Sequence, residues 1–308
     1  MRAEDMFENI TDQLIAAIEA GATGWRMPWY TLANAGTPVN VDGRPYRGMN
    51  AVWLPVAASA HGWETGVWGT YRGWQRHGGH VRRGECGTPV VLWKQTTRHD
   101  PTVTDTDTTD DTQPAGRRRA LFARAYTVFA GEQVDGADDT IATRCEGRPE
   151  RDAPDRLETA ERFFGALDAR VVEGGNRACY EPATDTIRLP TLAQFRTAAH
   201  YYATRAHETV HWTGHRSRLA RDLTTRFGTD AYAAEELVAE LGAAMWCAQT
   251  GISAVTRDDH AAYLAGWLRV LRADPRALVT VASRAQAAVD WLNTRAGIVT
   301  APADNEAA

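Results

Sequence analysis

The sequence predicts an α+β protein with two domains: a small α+β domain, followed by a mainly α-helical domain that contains a β-hairpin. The length favours two domains, because 308 residues exceed the roughly 100–200 residues typical of one. Segments rich in valine and aromatic residues, typical of strands, lie in the first half, whereas helical periodicity dominates the second. We expect domains at residues 1–135 and 156–300, joined by a polar linker at 136–155.

The composition is that of an ordinary globular protein, with 44% hydrophobic and 24% charged residues. No stretch approaches the roughly 18 consecutive apolar residues of a membrane-spanning helix. Glu4, Asp5 and Glu8 stand where a secretory signal carries basic residues, so we expect a cytoplasmic protein with no membrane partner. The four cysteines include no CxxC pair, which argues against a disulfide scaffold and against a cysteine zinc site.

Charge is distributed unevenly along the chain. Residues 26–98 contain nine basic and three acidic residues, a net charge of +6, whereas the residues from 135 onward contain 25 acidic and 20 basic ones. This division is expected when one domain meets an anionic polymer and the other has a different role. Chance surface patterning is the alternative explanation of the charge.

Two strands of the first domain flank a low-complexity segment. "TPVVLWK" (88–94) and "AYTVFAGEQV" (125–134) are both typical of strands. Between them, "DPTVTDTDTTDDTQP" has no apolar periodicity, so we expect a disordered insertion at about 99–118 that interrupts a sheet.

The second domain begins with an amphipathic helix at 155–167, followed by a hairpin that turns at 182–185. Capping residues then predict the ends of three further helices. These are a helix from Thr197 to Gly214, a helix from Thr229 or Asp230 to Gly251, and a last helix that starts at Asp274 and Pro275, with a capping box of Thr256 and Asp259 between the last two.

Residues 207–211 read His-Glu-Thr-Val-His. On a helix, the spacing of four places both imidazoles on one face, a geometry that suits zinc. His207 and His211 supply nitrogen ligands, while Glu208 is the candidate general base that takes a proton from a water attacking a carbonyl. A third protein ligand must come from elsewhere in the chain.

Three residues are candidates for that third ligand. A histidine at position 217 would complete a metzincin motif, but Ser217 stands there, and His215 remains only as an alternative beyond the predicted helix end. Glu236 on the next helix is preferred, in a gluzincin-like layout, with Glu240 one turn later as a partner of a ligating imidazole or as an alternative ligand. In this interpretation Glu235 belongs to a solvated acidic face.

The strand "DTIRLP" (185–190) is a candidate for the edge strand that, in zincins, lies beside the active-site helix and pairs with an extended peptide. It is equally compatible with a purely structural hairpin.

Seven of the eleven tryptophans lie between residues 25 and 93 and alternate with arginines. Such mixing suits unpaired nucleic acid, because bases stack on aromatic rings while arginines contact phosphates. Most tryptophans of a small domain are in its core, so we expect only two or three of them to touch a ligand. The candidate DNA-binding residues are Trp29, Tyr46, Arg47, Asn50, Trp53, Trp68, Tyr71, Arg72, Arg82 and Arg83.

Several segments resemble the ArdC-type antirestriction proteins. "RPYRGMNAVWL", "WGTYRGWQRHGGHVRRGECGTPVVLWK" and "YTVFAGEQVDG" resemble the family's N-terminal domain, and "IRLPTLAQFRTAAHYYATRAHETVHWTGHRSRL" and "YAAEELVAELGAAM" resemble its zincin-like metallopeptidase domain. The chain departs from the family's pattern by the Thr/Asp-rich insertion and by Cys86 beside Glu85, which affects local loops rather than the fold.

The resemblance implies a protein of a plasmid, phage or other mobile element that binds single-stranded DNA and protects incoming DNA from restriction. It also implies zinc at His207 and His211, a catalytic Glu208, and a glutamate of the "EELVAEL" helix as third ligand. A protein bound on or near DNA is the expected peptidase substrate. The alternatives are a non-catalytic antirestriction protein with a structural zinc site, and a general metallopeptidase with no nucleic-acid role.

Overall fold

The computed structural model describes residues 3–22, 36–99, 117–146, 154–223, 229–253, 260–274 and 276–298. The helices in these ranges are α1 (Ala3–Ala22), α2 (Met49–His61), α3 (Tyr71–Arg76), α4 (Asp138–Cys145), α5 (Pro154–Gly165), α6 (Ala198–Thr213), α7 (Asp230–Thr250), α8 (His260–Ala273) and α9 (Ala277–Arg295). The strands are β1 (Val39–Asn40), β2 (Val67–Gly69), β3 (His80–Val81), β4 (Thr88–His99), β5 (Arg117–Ala130), β6 (Val134–Asp135), β7 (Arg170–Glu173), β8 (Cys179–Glu181) and β9 (Thr186–Leu189). The predicted α+β class is confirmed.

The first half is built on a four-stranded sheet in the order β1-β2-β5-β4. The two strands predicted from "TPVVLWK" and "AYTVFAGEQV" form its long antiparallel hairpin, paired from Thr88↔Val128 to His99↔Arg117. Pairing continues to the end of both strands, so residues 99, 117 and 118 lie in strands. The prediction that the insertion includes these three positions was wrong. The rest of the predicted insertion, residues 100–116, lies outside the described residues.

The segment predicted as a polar linker contains helix α4. Its Ile141 packs against a small apolar cluster that includes Val67 and Trp74, and Arg144 Nε donates to the Val41 carbonyl oxygen at 3.0 Å. Two aspartates in the first turn of α4 favour a helix there, because they face the positive end of the helix dipole. The linker prediction at 136–155 was therefore wrong over this helix, which packs on the first sheet.

One continuous hydrophobic core extends through both predicted domains. It contains Trp53 and Trp68 from the first half together with Leu189, Trp246 and Leu292 from the second. Helix α2 supplies the connection, since it packs against both α7 and α9. The metal-site helices α6 and α7 are thus held by residues from both halves of the chain.

The predicted ends of α6 and α7 are confirmed. The Thr197 hydroxyl accepts the amide N–H of His200 at 3.1 Å, and that of Thr229 accepts the amide N–H of Tyr232 at 3.2 Å. At the other ends, Gly251 adopts a left-handed φ of 74°, and Gly214 follows α6. The last helix begins at Ala277, two residues later than predicted, while Thr256 and Asp259 lie outside the described residues.

A three-stranded sheet of order β7-β9-β8 packs beside α6. The predicted hairpin is present, with β8 antiparallel to β9. Strand β9 is nevertheless central, so the prediction that residues 185–190 form the edge strand was wrong. The edge next to the metal-site helix is β8, because β7 already occupies the far side of β9. Among the described residues, no helix is long and apolar enough to cross a membrane.

Candidate metal centre

Helix α6 places the two histidines of the HETVH motif side by side. Both imidazoles face α7, and the Nε2 atoms of His207 and His211 are 3.2 Å apart. The rings are inclined at 77°, with centroids 4.9 Å apart. The two rings therefore do not stack face to face, and their Nε2 atoms lie close to one common point.

Helix α7 brings the Glu236 carboxylate to the same point. Its oxygens lie 3.5 Å from Nε2 of His207 and 3.5 Å from Nε2 of His211. A tetrahedral zinc site with ligand distances of about 2.0–2.2 Å separates neighbouring donor atoms by about 3.3–3.6 Å. The two imidazoles and this carboxylate therefore fit a divalent metal ion, and they are the described residues that cluster as such a site.

His215, the alternative ligand, is not part of this cluster. Its Nδ1 lies 2.7 Å from the hydroxyl of Ser217, in the loop that follows α6. The helix ends at Gly214, so the chain turns before His215 can face the other two imidazoles.

The second nitrogen of each imidazole meets a different carboxylate. Nδ1 of His207 lies 3.3 Å from a carboxylate oxygen of Glu240, an ion-pair distance rather than a hydrogen bond, so the predicted outer role of Glu240 stays a prediction. Nδ1 of His211 is 3.2 Å from Glu235. The contact of His211 with Glu235 is a hydrogen bond, and a carboxylate that accepts the remaining N–H of a metal-binding imidazole fixes the tautomer and orientation of the ring.

Glu235 is the residue that sequence reasoning missed. It was assigned to a solvated face, yet it is 8% exposed and is held by Arg221 as well as by His211. The available signal was the apolar character of α7 beyond Leu237, because a helix that is apolar on all sides is buried on all sides. Nothing in the sequence near Arg221 indicated that its guanidinium reaches α7.

The site concentrates negative charge around the two imidazoles. Burial opposes protonation of His211, but the carboxylates of Glu236 and Glu235 outweigh it and raise the pKa of His211 to about 10. Burial likewise raises the pKa of Glu236, yet His211 and His207 reverse this and hold it well below its usual value. This pattern of charge stabilises a cation between the side chains.

The three residues of the cluster line a cleft of about 410 Å³. Glu208 lines this cleft together with Cys179 and Tyr180 of β8 and with Tyr232. Burial raises the pKa of the Cys179 thiol, and the nearby charge of Glu208 adds to the effect. The motif glutamate therefore faces the cleft opposite the edge strand.

Three of the candidate DNA-binding residues are buried structural residues. Trp53 donates its indole N–H to the Pro89 carbonyl oxygen at 3.0 Å, and Asn50 exchanges two hydrogen bonds with the Val91 backbone. Trp68 is 1% exposed. Their prediction as DNA contacts was wrong, because the core between α2 and the first sheet encloses their side chains.

Three others are partly buried or paired within the protein. Arg47 forms an ion pair with Asp290, and Arg82 pairs with Glu85 at 3.0 Å. Burial raises the pKa of the half-buried Tyr46, with a contribution from Asp42.

The remaining described candidates, Tyr71, Arg72 and Arg83, are exposed, as is the paired Arg82; they lie on α3 and in the turn after β3, two elements that pack together. Tyr71 is 51% exposed, which is unusual among the aromatic residues that the structure describes. Trp29 lies outside the described residues.

Two histidines one helical turn apart, a glutamate from the next helix and an edge strand across the cleft define a zincin-like metallopeptidase domain. The sequence profile of that domain matches residues 158–284. The profile of the N-terminal domain of the anti-restriction factor ArdC matches residues 4–129. The chain belongs to the ArdC family of antirestriction proteins.

Similar proteins agree with this assignment. An uncharacterized protein, y4eC of Sinorhizobium fredii, is 46% identical over 94% of this chain and 92% of its own length. A DNA primase TraC of Escherichia coli is 35% identical over 92% of this chain, which spans only 27% of the primase.

Two crystal structures of antirestriction ArdC from the R388 plasmid superpose on this chain. The metal-free form has a TM-score of 0.75 and 36% identity and covers 95% of this chain and 98% of its own. The Mn(II)-bound form has a TM-score of 0.73 and 35% identity, with coverages of 94% and 97%.

Proposed function

We propose that this protein binds single-stranded DNA through its N-terminal half and carries a zinc-dependent peptidase centre at His207, His211 and Glu236, as an antirestriction protein of a mobile element. The observation that carries the proposal is the convergence of these three side chains in a cleft that also holds Glu208. The Mn(II)-bound relative supports a divalent metal in this fold. Two imidazoles and one carboxylate favour zinc among the available metals.

Glu208 is the proposed general base. Zinc bound at the cluster would lower the pKa of its water to about 7 and polarise a peptide carbonyl. Glu208 lines the cleft next to His207, which supports the proposal that its carboxylate accepts the proton of the attacking water and returns it to the leaving amine. The edge strand β8 replaces residues 185–190 as the segment offered to pair with an extended peptide.

Glu208→Gln separates this proposal from an antirestriction protein with a structural zinc. The change keeps the shape of the side chain, so we expect unchanged zinc content, while peptidase turnover falls by about 10²–10⁴-fold. Protection of incoming DNA in cells should fall with it. Glu158→Gln, an exposed carboxylate on α5, is the matched control. Full protection by Glu208→Gln would instead favour a structural centre.

The DNA surface is proposed to include Tyr71, Arg72 and Arg83. They combine an exposed ring with two exposed guanidiniums, which suits stacking on bases and contact with phosphates. The similarity of this chain to part of a DNA primase is consistent with this role.

Fluorescence anisotropy with a single-stranded oligonucleotide tests this surface. Loss of two phosphate contacts in Arg72→Ala/Arg83→Ala should reduce the slope of log K against log salt by about 1.4. The control is Arg170→Ala/Arg216→Ala, two exposed arginines of the second half. No salt-dependent binding by the wild type would favour a metallopeptidase without a nucleic-acid role, and equal slopes for both double variants would exclude this surface.

A further inference from the structure

The loop that follows α6 inserts a buried arginine between the two metal-site helices. Arg221 is intermediate in overall burial, but its side chain is only 7% exposed. Its Nη1 donates to the Thr213 hydroxyl at 2.8 Å and its Nη2 to the Val210 carbonyl oxygen at 2.7 Å, both at the end of α6. The guanidinium is therefore fixed to the helix that carries the histidines.

The opposite side of the same guanidinium holds Glu235 of α7. Nε of Arg221 donates to Oε2 at 3.0 Å and Nη2 to Oε1 at 2.9 Å, which is a two-point contact with one carboxylate. A fork of this kind fixes the plane of a carboxylate, whereas a single point charge does not. It also supplies the positive charge that a buried carboxylate requires.

Glu235 transmits this constraint to the metal site, because its Oε1 is also 3.2 Å from Nδ1 of His211. In the neutral imidazole that binds a metal, an Nδ1–H directed at that oxygen makes Nε2 the lone-pair nitrogen, and Nε2 is the atom directed at His207 and Glu236. The three residues thus form a continuous chain from the loop to the metal-facing nitrogen.

The close packing between Gly214 and the Arg221 guanidinium explains why a glycine stands at this position. Gly214 has an ordinary helical φ of −73°, so a left-handed conformation is not the reason for a glycine at this end of α6. A Cβ at this position would lie 2.9 Å from Leu223 and 3.0 Å from Nη2 of Arg221. The missing side chain leaves space for the guanidinium against the end of α6.

We infer that Arg221 is a positioning residue of the metal centre, which orients His211 through Glu235 and thereby couples the fold of the 214–223 loop to metal affinity. The inference rests on the metal centre of the proposed function but not on its peptidase activity. It predicts that loss of the fork weakens metal binding although Arg221 touches none of the three ligands.

Zinc affinity of the full chain, measured by competition with a chromophoric chelator, tests the inference. Arg221→Ala should weaken zinc binding by about 10–100-fold, the usual cost of losing an outer partner. Arg221→Lys should recover part of the loss, because it restores the charge without the fork. The visible absorption of bound cobalt(II) should change in Arg221→Ala, since that spectrum reports the geometry around the ion.

Arg218→Ala is the matched control. Arg218 belongs to the same loop, is 9% exposed, and bonds the Trp212 carbonyl oxygen, Asp185 and Tyr180, but it does not contact Glu235. We expect its zinc affinity to remain within about threefold of the wild type, below the cost of an outer partner. Equal losses in the two alanine variants would show a general loop effect and overturn the inference.

Glu235→Gln covers the case in which Arg221→Ala does not fold, a condition that circular dichroism detects. The amide retains an oxygen for Arg221 but lacks the negative charge, so zinc affinity should fall again. Wild-type affinity in this variant would overturn the role of the chain from Arg221 to His211. Absence of zinc binding in the wild type is a different result, since it would refute the proposed metal centre itself.

Discussion

Arg47 forms an ion pair with Asp290, which joins the N-terminal half of the chain to its last helix. The adjacent Gly48 amide donates to the Gln286 side chain at 3.0 Å, one turn earlier on the same helix. That helix also packs on the metal-site helix, where the rings of Trp291 and Trp212 meet edge to face at 5.5 Å. The two halves matched by separate family profiles are therefore joined through α9.

We expect Arg47→Ala and Asp290→Asn to lower stability by similar small amounts. Both side chains are partly solvated, so the pair contributes about 0–1 kcal/mol. A double-mutant cycle of urea denaturation measures this coupling. Single-stranded DNA affinity should change little in either variant; a large loss confined to Arg47→Ala would mean that Arg47 contacts DNA after all.

Trp68 and Tyr71 are aromatic residues of the same basic segment, but we expect Trp68→Ala to lower mainly stability and Tyr71→Ala to lower mainly oligonucleotide affinity. Trp68 is enclosed in the core, so its truncation should cost about 3–5 kcal/mol of unfolding free energy. Tyr71 is half exposed, so its truncation should leave the melting temperature nearly unchanged and weaken oligonucleotide binding by about 1–3 kcal/mol. Thermal denaturation and anisotropy on both variants check this contrast.

The contrast between Trp68 and Tyr71 also marks a limit of sequence reasoning in the first half. Alternation of tryptophan and arginine suggested nucleic acid, but the alternation itself does not reveal which rings face the core. Burial of Trp68 depends on α2 and on the pairing of β2 with β5, which are distant in sequence. Local patterns of valine and aromatic residues were sufficient to predict strands β4 and β5, because strand propensity is a property of neighbouring residues, but they did not predict the register in which the two strands pair.

In the metal site, too, some residues could be predicted from local sequence patterns and others could not. The spacing of His207 and His211 is a local helical property, so the sequence was enough to place both imidazoles on one face. The helical pattern of α7 was also enough to predict Glu236 as the third ligand beside the two histidines. The contact between Glu235 and Arg221 could not be predicted in this way, because it depends on the path of the loop between the helices.

His207→Ala should abolish stoichiometric zinc binding, whereas His215→Ala should not. The first change removes a donor atom of the cluster, so its effect should exceed the roughly 10–100-fold cost of removing an outer partner. The second removes an imidazole that bonds only Ser217 among the described residues. Metal analysis after dialysis distinguishes them, and comparable loss in both variants would assign His215 to the site.

Glu240→Gln should weaken zinc binding without removing any of the three ligands. Its carboxylate lies 3.3 Å from Nδ1 of His207, so the change removes the negative charge beside this ring, which is the charge that the predicted orienting role requires. A loss of about 10–100-fold is expected by chelator competition. Glu173→Gln provides the control, since that carboxylate accepts from the Tyr201 hydroxyl at 2.5 Å, away from the metal-site histidines. If Glu240→Gln lost all bound metal, Glu240 would act as a ligand.

Asp185→Asn should remove a pH-dependent part of the stability. Hydrogen bonds from Arg218 hold the pKa of Asp185 below its ordinary value of 3.8, although burial opposes this. A lowered folded-state pKa means that the unfolded chain binds more protons, so this contribution is complete above the ordinary value and disappears as the pH falls through the folded-state pKa.

Asparagine is the appropriate replacement because Asp185 has a left-handed φ of 47°, which Asn tolerates better than Ala. The variant should therefore be less stable than the wild type at pH 6, and the difference should shrink as the pH falls below 3.8. Denaturant titrations of both proteins across this range measure it. A difference that stays constant down to acid would show that the Asp185 charge is not what stabilises the β8–β9 hairpin, and that Arg218 acts there through packing instead.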